Sequence, residues 1–100
     1  MFAISFDMIV SELEKNYGSP YNSAYYEIRN LLKQDGFYWF QGSTYMTESN
    51  DLSVVFKAIM DLKNIDWFRK SVRDIRAFRV EDWSNFTELI KAEQAEYGKK

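Results

Sequence analysis

Phe2, Ile4 and Phe6 recur at every second residue near the start of the chain, and Ala3, Ser5 and Asp7 fill the alternate places. That period belongs to a strand with one bulky face and one lean face. A bulky side of this kind has to be covered by helices, which predicts a place inside a sheet rather than at its edge. Asp7 then emerges at the sheet's end.

The segment from Met8 to Tyr17 is charged and mixed and leads to Gly18-Ser19-Pro20. Ser19 as N-cap and Pro20 at the first helical position predict a helix over 20–35, with Tyr21, Ala24, Tyr25, Ile28, Leu31 and Leu32 on its inner stripe and Gly36 as its left-handed stop. Phe37 to Gln41 and Ser43 to Thr47 flank Gly42, which reads as a hairpin closed by a tight turn. A second helix, capped by Asn50, is expected to bury Leu52, Val55, Phe56, Ile59 and Leu62. Residues 64–70 read as a connector that drops Trp67 and Phe68 onto the core. The last strand covers 72–80, and its broken alternation near Asp74 and Ile75 predicts a bulge or bend. Trp83, Phe86, Leu89 and Ile90 then stand at the spacing of a short terminal helix.

The resulting order predicts an α+β, ferredoxin-like βαββαβ sheet with both helices on one face and a short C-terminal helix. Its other face, carrying Ala3, Ser5, Thr44 and several arginines, is expected to stay open and to be closed by a second copy as a homodimer. One hundred residues fit one core, so a single domain over 1–92 is expected, with a polar tail over 93–100.

Several chemistries are excluded outright. The chain has neither cysteine nor histidine, so thiolate nucleophiles, thiolate metal sites and imidazole bases are all absent. Catalysis is left to carboxylates, hydroxyls, lysine or arginine, with a metal only on oxygen ligands. No membrane is expected as a partner, because no apolar run reaches the length of a span and no leader pattern opens the chain; it reads as soluble and cytoplasmic. The net charge of −2 hides a basic strip: Arg69, Lys70, Arg73, Arg76 and Arg79 stand against Asp74 alone. Guanidinium forks meet phosphate oxygens two at a time, so the strip points to RNA.

Three blocks of residues together resemble a known family. Phe2 to Asp7, Gln41-Gly42-Ser43-Thr44-Tyr45 and above all Ser71-Val72-Arg73-Asp74-Ile75-Arg76-Ala77-Phe78 look like the virulence-associated protein D family. Gly18 to Asn22 and Trp83 to Thr87 agree with it. The resemblance implies a small bacterial endoribonuclease, often the toxin of a toxin–antitoxin pair, built as a homodimer on a ferredoxin-like fold. That family is in turn similar to small CRISPR-associated adaptation nucleases, in which an aspartate ending the first strand faces its symmetry mate and can hold a divalent metal.

Asp7 is the matching aspartate, which makes it the expected catalytic carboxylate and a ligand for Mg2+ or another divalent cation shared across the dimer. Its structural role would be to end a strand and accept backbone hydrogen bonds. Ser43 is expected to position a phosphate, Gly42 to shape the turn, and Arg76 to offset charge in the transition state. Arg73, Arg76, Arg69 and Lys70 are the expected RNA contacts, against the alternative of arginines locked to carboxylates on a solvated face. Tyr38, Trp39, Phe40 and Tyr45 could stack on unpaired bases, although only alternate ones share a side. Two rival functions follow from the same residues: a non-catalytic nucleic-acid-binding scaffold, and a protein-interaction or regulatory module.

Overall fold

The alternation of Phe2, Ile4 and Phe6 translates directly into position. The computed structural model, which describes residues 1–93, places β1 (Phe2–Met8) inside a four-stranded sheet. Then follow α1 (Val10–Asn16), α2 (Asn22–Gln34), β2 (Tyr38–Gln41), β3 (Thr44–Thr47), α3 (Leu52–Lys63), α4 (Asp66–Ser71), β4 (Val72–Arg79) and α5 (Thr87–Lys91). The strand order is β2-β3-β1-β4 and every pairing is antiparallel. This α+β arrangement is compatible with the ferredoxin-like fold. The polar tail expected over 93–100 lies, from residue 94 onward, outside the described residues. No helix among the described residues is long and apolar enough to cross a membrane.

Phe2, Ile4, Phe6 and Met8 pack with Ala24, Ile28 and Leu32 of α2 and with Val55, Ala58 and Leu62 of α3 in one buried cluster. Phe68 joins it from α4, edge-on to Phe6 at 5.5 Å, as expected for a residue dropped onto the core. Phe37, just ahead of β2, is buried in the same cluster.

Four local expectations need correction. Helix α1 occupies the stretch that shows no stripe in sequence: seven residues are too few for a period, and Leu13 alone anchors it. Helix α2 starts two residues later than expected, at Asn22, with Tyr21 rather than Ser19 at the N-cap and no side-chain cap. The cap of α3 is Asp51, whose carboxylate accepts from the Ser53 amide at 2.9 Å, while Asn50 Oδ1 instead takes the N-terminal ammonium. Finally, Leu52 and Phe56 face solvent, at 64% and 65% exposure. The buried stripe of α3 is Val55, Ala58 and Leu62, which is the face a helix presents when it lies across the sheet rather than along the widest apolar arc.

The helix-free face is not wholly open. Ala3 and Met46 lie opposite one another on it and are only 1% and 2% exposed. After Val80, whose amide donates to the Met1 carbonyl at 2.9 Å, the chain leaves β4, and Trp83 meets the Phe40 ring edge-on at 4.9 Å. Because β4 and β2 are opposite edges, the segment between them must cross the sheet. Pairing shows which side it takes. Trp39 stands opposite Tyr45, which is buried against Phe6 on the helix side, so Tyr38 and Phe40 point the other way.

Candidate active site

The residues of interest gather at one end of the sheet because three chain reversals occur there. β1 runs into α1, α4 runs into β4, and the β2–β3 hairpin turns at the same level. The Ile9 amide donates to the Ser71 carbonyl at 2.8 Å, and Asn16 Nδ2 reaches Ser71 Oγ at 3.3 Å, which fixes the two crossings against each other. Ser71 is fully buried between them.

Asp7 stands directly opposite Asp74 across the β1–β4 ladder. Like charges in that relation repel unless each has a partner. Each does: Arg73 Nη1 lies 3.6 Å from Asp7 Oδ2, and Arg76 Nε donates to Asp74 Oδ2 at 2.9 Å. The register shift expected near Asp74 falls between Asp7 and Met8, whose partners are Asp74 and Val72, so Arg73 is the extra residue. A bulge re-aims the side chain it carries, and here it turns Arg73 toward Asp7. All four side chains are half or more exposed. The arginines are therefore tied to carboxylates, as the solvated-face alternative expects, but at the surface, where such pairs are weak and exchangeable.

Arg76 is opposite Ser5, and Ser5 is opposite Thr44, whose hydroxyl lies 3.1 Å from that of Ser5. With Gln41 opposite Thr44, one row runs across all four strands on the helix-free face. Gly42 has φ +51° while Ser43 keeps a negative φ, the pattern of a type II′ hairpin turn with glycine first. The Ser43 carbonyl accepts from the Phe6 amide at 3.1 Å, which carries the ladder past the turn toward the Asp7 end; among the described residues its hydroxyl has no hydrogen bond.

Arg69 and Lys70 belong to a different element. Both are held by Asp66 on α4, Lys70 at 3.0 Å, and Arg69 also donates to the Lys63 carbonyl at 2.8 Å. Arg79 points to the helix side, 4.7 Å above the Phe2 ring. The basic strip of the sequence is thus divided among a helix and both faces of a strand, with Arg73 and Arg76 alone beside Asp7.

Tyr25 was given only a packing role by the sequence. Burial first, then the neighbouring Tyr21 and the Asp7 carboxylate, hold its phenol above the ordinary value. Nothing in the local sequence could reveal this, since α2 and β1 meet only in the fold. For a hard cation, Asp7 and Asp74 supply two facing carboxylates of the oxygen chemistry such an ion requires. Among the described residues no group of three or more acidic side chains gathers, so further oxygens must come from water, phosphate or a second copy.

The family described as CRISPR associated protein Cas2 matches residues 1–88. The chain is 57% identical to a protein named endoribonuclease VapD from Dichelobacter nodosus, over 91% of this chain and 98% of that one. It is 53% identical to an endoribonuclease VapD from Helicobacter pylori, over 92% of this chain and all of the other. It is 40% identical to an endoribonuclease VapD from Haemophilus influenzae, over 91% and 99%.

Proposed function

Since this chain belongs to the CRISPR-associated Cas2 family and to the VapD proteins, we propose that it is an endoribonuclease that cuts RNA phosphodiester bonds at the Asp7 end of its sheet. The observation that carries the reading is the register: it brings Asp7, Arg73, Asp74, Arg76 and the Ser43 turn together, although they are scattered over the sequence.

The incoming phosphate displaces a carboxylate from a guanidinium. Arg76 keeps its Nε bond to Asp74 and offers its outer nitrogens to the non-bridging oxygens, where negative charge grows as the bond breaks. Arg73 releases Asp7, whose carboxylate takes the proton of the attacking hydroxyl, from water or from the RNA's own 2′ position; as the new P–O bond forms, the P–O bond to the leaving ribose oxygen breaks, and that oxygen takes its proton from water. Ser43 donates a hydrogen bond that fixes the phosphate. A divalent cation such as Mg2+, held by Asp7 and Asp74, would supply Lewis-acid stabilisation of the same oxygens.

A second copy completes the assembly in this reading. Phe78, Phe86, Leu89 and Ile90 leave much apolar surface exposed at the C-terminal side, which favours a homodimer. Cellular action as the toxin of a toxin–antitoxin pair, with a role in virulence, is the reading the family resemblance supports, and an antitoxin would act by covering the Asp7 end.

Asp7→Ala and Arg76→Ala are each expected to lower cleavage of a defined RNA by about 100-fold or more while leaving the unfolding midpoint within error. Undiminished cleavage by both variants removes the site. Loss of activity in excess EDTA supports the cation, and full activity there favours attack by the 2′-hydroxyl without it. Salt-sensitive binding with no cleavage by clean protein would establish the scaffold reading instead.

A further inference from the structure

A cavity of about 500 Å³ lies between β2 and the crossing C-terminal segment, lined by Tyr38, Phe40, Gln41, Trp83, Asn85 and Phe86 among others. It has room for a nucleotide and the composition of a ligand site, with aromatic walls and a few convergent polar groups. The aromatic rings are available. Tyr38 and Trp83 are 40% and 49% exposed, and Trp83 stands edge-on to Phe40.

Polar capacity remains as well, although the Tyr38 hydroxyl is taken by Glu48 at 2.9 Å. Asn85 Oδ1 accepts from the Thr87 amide at 2.9 Å, which leaves the NH2 of the same side chain as a donor. Gln41, whose backbone opens the row Gln41, Thr44, Ser5, Arg76, has no hydrogen bond from its side-chain amide among the described residues. Along that row the cavity is two strands from β1, and Asp7 stands two residues beyond Ser5. At about 4.8 Å between strands and about 3.3 Å per residue, this separation is the span of one to two nucleotides.

From this geometry we infer that the cavity is a base-binding subsite, which takes an unpaired nucleobase one or two nucleotides from the scissile phosphate. The base stacks against Trp83 and Phe40 and presents its polar edge to Gln41 and Asn85. Of the aromatics that the sequence offered for stacking, Tyr38 and Phe40 line the cavity, and Trp83, read in sequence only as part of a terminal helix, joins them. Tyr45 is buried in the core, and Trp39 lies on the helix side, where Arg29 covers it at 4.4 Å and its Nε1–H donates to the Gly42 carbonyl at 2.8 Å. The inference rests on the proposed RNA cleavage, and its test separates the two.

Cleavage is measured on an RNA oligonucleotide and on copies carrying a single abasic nucleotide at each position around the cut. One or two nucleotides from the cut, removal of the base is expected to raise KM roughly ten-fold for the natural chain, as loss of a base–aromatic stack does. Trp83→Leu is expected to raise KM similarly on the intact RNA, with kcat within about two-fold, and to abolish the abasic penalty; Trp83→Phe should restore most of it. Equal abasic penalties in the natural chain and Trp83→Leu overturn the subsite. A change in sedimentation with no change in KM also overturns it, and assigns the cavity to a second copy of the chain. Should the natural chain cut no RNA, the proposed function fails but the subsite is still read directly. The indole N–H resonance of Trp83, identified by its loss in Trp83→Phe, should shift when a 2′-O-methyl hexanucleotide is added; a resonance that does not move refutes base binding.

Discussion

At the scale of single residues, backbone and side-chain roles separate at the hairpin turn. Gly42 sits at φ +51° with open space where a Cβ would go, so Gly42→Ala meets backbone strain and no clash. A loss of about 1 kcal/mol is expected, read as a lower urea midpoint. Ser43 contributes to the fold through its carbonyl, which the Phe6 amide uses, and not through its hydroxyl. Ser43→Ala should therefore leave the midpoint unchanged and lower cleavage; a variant that loses stability and retains activity would reverse that assignment. Glycine at a tight turn was legible in the sequence because only a local angle is at stake. The facing of Asp7 by Asp74 was not, because a cross-strand partner is fixed by register, and here that register runs unbroken from the Phe2–Arg79 pair to Asp7 and Asp74.

At the scale of elements, helix α3 shows how apolar spacing can mislead. Its sequence offers two overlapping apolar arcs, and only docking on β1 selects the one with Val55, Ala58 and Leu62. Leu62→Ala should cost about 2–5 kcal/mol. Phe56→Ala, on the rejected arc, should stay within about 0.5 kcal/mol in the same urea measurement. The join between α2 and α3 carries a pH signature. Burial first, then the neighbouring Asp61 carboxylate, holds Asp35 above the ordinary carboxylate range; among the described residues its Oδ2 has no partner, while Lys57 bonds its other oxygen at 3.1 Å. The native chain binds this proton more tightly than the unfolded chain, so the Asp35 contribution to stability falls as pH rises from the ordinary value of 3.8 through the raised native one. Asp61, held low by Lys57 and then by Asp35, acts in the opposite sense: its contribution is present above the ordinary value and lost as pH falls through the native one. Asp35→Asn removes the first effect, so its stability relative to the natural chain should rise as pH climbs from the ordinary carboxylate value through the raised native one. A difference that does not change with pH would contradict this account.

At the scale of the whole molecule, division of the basic strip limits how much of it RNA can use. Arg73 and Arg76 are beside Asp7, whereas Asp66 holds Arg69 and Lys70 on α4. Two phosphate contacts predict a slope of about −1.4 for the logarithm of RNA affinity against that of salt, and a site shared by two copies about twice that. Sedimentation with Ile90→Glu, at a position 78% exposed, tests the proposed second copy from the other side: the natural chain is expected to sediment as a dimer and the variant as a monomer. The sequence by itself determined the central strand, the glycine turn, the two long helices and the exclusion of thiol and imidazole chemistry, because each follows from local period, local backbone angle or residue type. Tertiary structure alone decided that Asp7 faces Asp74, that Arg73 rather than Arg69 turns to it, and that Trp83 crosses the sheet to Phe40. Those relations join residues far apart along the chain, and their distances are set by strand pairing and packing, which no single segment encodes.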